Sequence, residues 1–160
     1  MNDQDFKDAM SAWASGVSVV ACRGADGDAY GLTVSSFSSL SLHPPLVLVC
    51  LNAANRLPDM IREAGVYSIS ILSEGQDEVS NHFASRGREP SSDLGVPSEP
   101  AANGQPVVAG ASAQLACSVH ALIEQGDHII VVGEVTEAKS AGEQAPLVYF
   151  KRAYRTVTGL

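Results

Sequence analysis

Hydroxyl side chains crowd one short stretch of this 160-residue chain. Within GLTVSSFSSLS, residues 31–41, Thr33 is followed by Ser35, Ser36, Ser38, Ser39 and Ser41, beside strongly apolar sequence. Hydroxyls and free backbone groups placed there can hydrogen-bond a flat heteroaromatic ring and its polyol chain with little charge. An edge strand whose hydroxyls face water has the same composition. Asn55 and Arg56 open a predicted helix, whose first turn presents N–H groups suited to a phosphate. An ordinary Asn cap with a solvated Arg reads the same way. His128, in GDHII, stands where a turn meets a predicted strand, a place from which an imidazole reaches a pocket mouth. A surface or structurally hydrogen-bonded histidine is the plain alternative.

Other chemistries lack their residues. His43, His82 and His120 have no metal-ligand spacing with His128, and no HxE or CxxC accompanies them, so no metal site is expected. The chain has no GxSxG, which removes the usual serine hydrolase elbow. It has no GxGxxG or Walker loop, so a nucleotide must be held by another device. Cys22, Cys50 and Cys117 are odd in number, far apart and set in apolar runs, which reads as buried thiols rather than disulfides. A net charge of −8 argues against nucleic acid, whose phosphates need a basic footprint. Positive charge gathers at Arg56, Arg62, Arg86 and Arg88 and again at Lys151, Arg152 and Arg155; such clusters can hold one phosphorylated small molecule, although most surface charges are simply solvated. The opening residues Asn2, Asp3, Asp5 and Asp8 do not form a basic leader, and no apolar run reaches membrane-spanning length. A soluble, cytoplasmic protein without a membrane partner is the expectation.

The elements that must position these groups are mostly strands. Asp3 to Ala14 places Phe6, Ala9, Met10 and Trp13 at helical spacing and predicts an amphipathic helix packed on the domain. GVSVVAC, residues 16–22, predicts a strand, and Asp26-Gly27 a hairpin turn into a long extended segment over 29–42. PPLVLVCLN, residues 44–52, is apolar enough for a strand covered on both faces. A short helix follows over 56–64, with Pro58 near its start and Gly65 past its end, then a strand over 66–72. Residues 75–84 suit another short helix carrying Val79 and Phe83, whereas 85–106, rich in Ser, Gly, Pro and Glu, predicts a mobile loop. Two long strands come next, one with Leu115, Cys117, Val119, Ala121 and Ile123 on one face and one over 128–136, and PLVYF, residues 146–150, closes the set. Regular turns without a βαβ rhythm predict a mainly β protein, an antiparallel barrel with short flanking helices in a single domain over 1–160.

Taken together, four blocks carry a resemblance: FKDAMSAWASGVSVVAC, GLTVSSFSSLSLHPPLVLVCL, GDHIIVVGEV and PLVYFKRAY. In this order, from about Phe6 to Tyr154, the chain resembles the short-chain flavin reductase family, the FMN-binding split-barrel reductases that serve two-component flavin monooxygenases. ANRLP also looks like the branch associated with actinorhodin-type quinone antibiotic pathways. The resemblance implies a Greek-key-like split β-barrel. It also implies that Thr33, Val34, Ser35 and Ser36 line the isoalloxazine and ribityl side, that Cys50, Leu51 and Asn52 meet the ring edge, and that Asn55 and Arg56 approach the phosphate. Phe83, Ala84 and Arg86 match the family's FA element beside the flavin, His128 the histidine near the nicotinamide, and Tyr149 and Tyr154 aromatic positions close to the site. Asn55 and Leu57 stand where many members have Ser and Thr, two hydroxyls fewer for a phosphate.

The implied function is NADH- or NADPH-dependent reduction of FMN, or of FAD, by a homodimer that supplies reduced flavin to a partner monooxygenase, in aromatic or polyketide metabolism. Hydride transfer between cofactors asks the protein for stacking and orientation rather than an acid or base. Two rival readings are a reductase that retains its flavin and acts on a quinone-like substrate, and a flavin- or heme-binding split barrel without turnover.

Overall fold

The computed structural model describes residues 1–158. In chain order its elements are α1 (Asp3–Met10), β1 (Ser15–Gly16), β2 (Ser18–Arg23), β3 (Ala29–Val34), β4 (Ser38–Leu42), β5 (Pro45–Asn52), α2 (Leu57–Ala64) and β6 (Val66–Ile71). They continue as α3 (Asp77–Ala84), β7 (Ser98–Pro100), β8 (Pro106–Val108), β9 (Ala113–Gln125), β10 (His128–Ser140), β11 (Val148–Phe150) and β12 (Ala153–Arg155).

Seven strands form one antiparallel sheet in the order β3-β2-β6-β9-β10-β5-β4. Its two edge strands, β3 and β4, are consecutive in sequence and joined only by Ser35, Ser36 and Phe37. Seven flat strands would hold those edges roughly 29 Å apart, whereas four peptide steps reach about 14 Å at most. The sheet must therefore curl on itself, and the hydroxyl-rich junction lies where its two edges meet. The extended segment predicted over 29–42 is thus two strands broken at this junction.

The curl gives β2 two buried faces. Val20 and Cys22 point into the barrel with Val49, Leu51, Tyr67, Ile69 and Cys117, while Val19 and Ala21 pack outward on Leu72, Phe83, Leu94 and Val108. β5, expected to be covered on both faces, instead alternates: Val47, Val49 and Leu51 are buried, and Leu46, Leu48 and Cys50 are half-buried. Its open face is where the cavity described below forms. Cys22 and Cys117 are fully buried, and burial pushes both thiols up to about 12. A thiol reagent at neutral pH is expected to label Cys50 in the native protein and all three cysteines after unfolding, as mass spectrometry would count.

Three further expectations need correction. The first helix stops at Met10 and buries none of its residues, leaving Phe6, Met10 and Trp13 51%, 54% and 76% exposed. It forms because of a local capping box: Asp5 N donates to Asn2 Oδ1 at 2.8 Å and Asn2 N to Asp5 Oδ2 at 3.2 Å. In β9 the alternation holds only to Val119. A bulge leaves His120 without a partner in β10, so the parity flips and Leu122, not Ala121 or Ile123, rejoins the core. The segment 85–106 is pinned rather than loose. Leu94 and Gln105 are buried, Gln105 Oε1 accepts from Arg23 N at 2.6 Å, and Asn103 Nδ2 donates to the carbonyls of Tyr67 and Cys117. Its polar residues fill backbone valences that the sheet leaves open.

Candidate functional site

A cavity of about 600 Å³ opens at the junction of the sheet edges, within the roughly 300–1,000 Å³ range of small-molecule sites. Its walls are β3 with the junction (Tyr30, Leu32, Thr33, Val34, Ser35, Ser36), the end of β5 (Cys50, Leu51, Asn52) and Asn55. Phe83 and Ala84 from the end of α3, then Ser85, Arg86 and Gly87, form the third wall, and His128 stands at the start of β10. The structure thus brings twelve of the fifteen residues singled out in the sequence to one place, as the lining shows. Tyr30, Leu32, Ser85 and Gly87 complete the lining. Their neighbours in sequence were singled out, but side chains so ordinary carry no chemical signal of their own.

The hydroxyls do different work from that expected. Thr33 Oγ1 donates to the Ser80 carbonyl at 2.7 Å, fastening β3 to α3. Ser36 Oγ donates to the Cys50 carbonyl and accepts from Cys50 N, both at 3.0 Å, fastening the junction to β5. These two groups shape the cavity. The exposed Ser35 hydroxyl makes no hydrogen bond among the described residues, and the peptides of Ser35–Phe37 belong to neither strand. Groups of that kind can meet the polar rim of a ring.

Ladder register places the imidazole. His128 pairs with Asn52 across β10 and β5, so it sits beside the polar end of the cavity wall. His128 Nδ1 and Asp127 Oδ1 are 2.7 Å apart, and this hydrogen bond holds the Asp127 carboxyl below its usual range. A carboxylate on Nδ1 makes that nitrogen the donor and leaves Nε2 to the cavity. Asp127 was not singled out in the sequence, although its adjacency to His128 was a readable signal.

The other three residues lie elsewhere. Arg56 is exposed and pairs with Glu89 at 2.7 Å, in a separate groove with Asp26, Asp59 and Glu63, because α2 turns its guanidinium away from the cavity. Asn55 Oδ1 already accepts from Leu57 N, and Pro58 has no N–H, so the first turn of α2 offers little to an anion. Tyr149 and Tyr154 stack edge to face at 5.5 Å in an adjoining groove that shares Thr33, Val34, Ser35 and Ala84 with the cavity wall. The Tyr154 hydroxyl is bonded to Ser80 Oγ at 2.8 Å and Asn81 Oδ1 at 2.9 Å, which ties the C-terminal hairpin to α3.

Residues 10–158 match the family model described as flavin reductase like domain. The chain belongs to that family. It is 44% identical over 150 residues to the reductase component of 4-hydroxyphenylacetate 3-monooxygenase from Thermus thermophilus, covering 94% of this chain and 93% of that protein. The flavin reductase PheA2 superposes with a TM-score of 0.90 at 34% identity, covering 99% of this chain and 100% of that one. The NADH:FAD oxidoreductase SgcE6 of Streptomyces globisporus, solved with NAD and FAD fragments, superposes with a TM-score of 0.90 at 30% identity over 98% of this chain and 93% of that one. The mainly β, split-barrel architecture of this flavin reductase is thus shared with its solved relatives.

Among the described residues of the reductase, no group of three or more His, Cys, Asp or Glu side chains is placed to hold a metal ion. No helix among them is long and apolar enough to cross a membrane.

Proposed function

We infer that this flavin reductase holds FMN in the cavity between β3, β5 and the end of α3, and takes its electrons from NADH or NADPH. The lining fits such a group. Phe83 and Leu51 supply a buried apolar floor, Ser35–Phe37 supply peptide groups outside the ladders, and Arg86 supplies a cation at the rim. A flavin, when bound, accepts a hydride from nicotinamide and passes the electrons on. The chain's own part is binding and orientation: Thr33 and Ser36 fix the wall by their bonds to Ser80 and Cys50, and His128, steadied by Asp127, lies where a nicotinamide would be positioned. Nothing in the cavity calls for a protein acid or base to drive the transfer.

The carrying observation is the convergence of hydroxyl junction, α3 end and His128 on one cavity at the closure of the barrel. The open mouth of that cavity suits a flavin that leaves after reduction, for use by a partner oxygenase such as those served by the Thermus protein and its like. The chain works as a single domain and as a homodimer in the cytoplasm. The apolar stripe of Phe6, Met10 and Trp13 and the exposed Leu40 and Leu42 of β4 support a surface that a second copy covers.

The test is oxidation of NADH and NADPH under air, with FMN, FAD, riboflavin or no added flavin. Turnover that requires added flavin, fastest with FMN, is expected. Activity without added flavin in a yellow preparation would favour a retained cofactor and a quinone-like acceptor, and absence of turnover with every pair would reduce the site to a binding module.

A further inference from the structure

The segment Ser85–Gly87 forms part of one wall of the cavity, yet its three residues are exposed and none of them reaches the core. Ser85 is tied back to α3 through the His82 carbonyl and Ser91 is bridged to Ala29 of β3; between these anchors the segment is held by the next residue. Arg88 is half-buried, with its guanidinium carbon 4.8 Å from the centre of the Phe83 ring and 5.3 Å from that of Tyr30. Its Nη1 donates to the Gly31 carbonyl at 2.9 Å. Phe83 and Tyr30 are themselves buried and line the cavity from α3 and β3. One guanidinium therefore joins the last turn of α3, the strand β3 and the segment between them.

This geometry is demanding. Gly31 lies so close to the Phe83 ring that an added Cβ would meet its Cε1 at 3.0 Å, so the ring is seated on bare backbone beside the carbonyl that Arg88 grips. No carboxylate lies within 4.0 Å of Arg88 among the described residues, in contrast to Arg56, Arg62 and Arg152. Partial loss of water lowers the pKa of the Arg88 guanidinium, which nevertheless stays charged at any working pH. A cation taken partly out of water without a counter-ion needs compensation, which here comes from two ring faces and one carbonyl.

We propose that Arg88 is a positioning residue for flavin binding, which pins Ser85–Gly87 against β3 so that this wall is preformed when the cofactor arrives. It does not touch the cavity itself. This rests on the reading of the cavity as the flavin site, and the test separates the two.

Arg88→Met and Arg88→Lys are compared with the parent protein by trypsin cleavage after Arg86, by quenching of FMN and riboflavin fluorescence, by steady-state kinetics and by Tm. Arg88→Met is expected to speed cleavage after Arg86 about tenfold and to weaken both flavins about tenfold, because a stack and a charge-assisted hydrogen bond are lost. The maximal rate at saturating flavin stays within about twofold and Tm within a few degrees, since a preformed wall is an affinity device. Arg88→Lys, which keeps the charge and a hydrogen-bond donor group but not the planar stack, recovers part of both effects. Unchanged cleavage in Arg88→Met overturns the proposal, as does equal decline of rate, affinity and Tm, which is the mark of a general packing role. Failure of the parent protein to bind flavin would instead remove the reading of the cavity, while the cleavage rates would still report on the pinning.

Discussion

With His128 replaced by alanine, NADH-dependent turnover at saturating FMN is expected to fall by about tenfold to a hundredfold, while FMN affinity changes by less than about threefold. The asymmetry follows from where the residue sits. His128 begins β10 opposite Asn52 at the mouth of the cavity, and its side chain is 44% exposed, whereas the floor is made by Leu51 and Phe83. A side chain at the mouth meets the second reactant rather than the bound ring, and hydride transfer is steep in alignment. Asp127→Asn, which weakens the acceptor facing His128 Nδ1, is expected to reproduce part of the loss. The pH dependence has a definite sign. The folded pKa of Asp127 is lowered, so its pairing with His128 is in place above the ordinary carboxylate value and lost only as pH falls through the lowered one. Asp127 therefore contributes no titration near neutrality. Stopped-flow and steady-state rates with flavin-binding titrations decide the matter: equal loss of affinity and turnover, or no loss of either, would take His128 out of this role.

Residues legible in the sequence were those whose local chemistry and long-range position agree. The 31–41 stretch could be read as a site because polar residues interrupt an apolar strand pair, and the barrel closes at that interruption. The helix over Leu57–Ala64 was legible because Pro58 and Gly65 punctuate it, Gly65 closing it at φ 68° with its N–H on the Ile61 carbonyl. What could not be read depends on contacts far apart in the chain. The order of strands follows from pairing partners as distant as Ser15 and Tyr149, and the apparent looseness of 85–106 vanished because its amides, Asn103 and Gln105, answer backbone groups of β2, β6 and β9. The bulge at His120 reverses the faces of Ala121 and Leu122, and no alternation of apolar residues announces it. Arg56 looked like a phosphate ligand beside Asn55, but the carboxylate that claims it, Glu89, arrives from the segment that follows α3. Sequence spacing gives which residues share an element; it does not give which way a helix turns its first cation.

Gly133→Ala is expected to cost about 3 kcal/mol of stability or more, toward the upper end for overpacking a core, and to lower Tm by roughly 10 °C in a chain of this size. Gly133 lies in β10 beside the bulge, and a Cβ there would stand 2.1 Å from Tyr67 Oη and 2.7 Å from its Cζ. Tyr67 has nowhere to go: it is fully buried inside the barrel, with Val49, Leu51, Ile69 and Cys117 in the same cluster. The phenol hydroxyl finds no hydrogen-bond partner among the described residues, and burial raises its pKa, so it is held neutral by the same packing that crowds it. Tyr67→Phe removes an unpaired buried group while keeping the ring, and is expected to be neutral or stabilising by up to about 1 kcal/mol. In the double variant the clash with the hydroxyl is gone but the contact with the ring carbon remains, so only part of the loss should return. Thermal melts of the four proteins give the coupling directly. The consequence reaches the site, because Gly133 and His128 share β10: a strand pushed outward at the bulge strains the pairing of His128 with Asn52. The Gly133→Ala protein should therefore bind flavin nearly as well as the parent below its melting range, yet turn over more slowly. An unchanged Tm would mean that Tyr67 can swing clear of β10, and that the barrel interior holds room which its close packing denies.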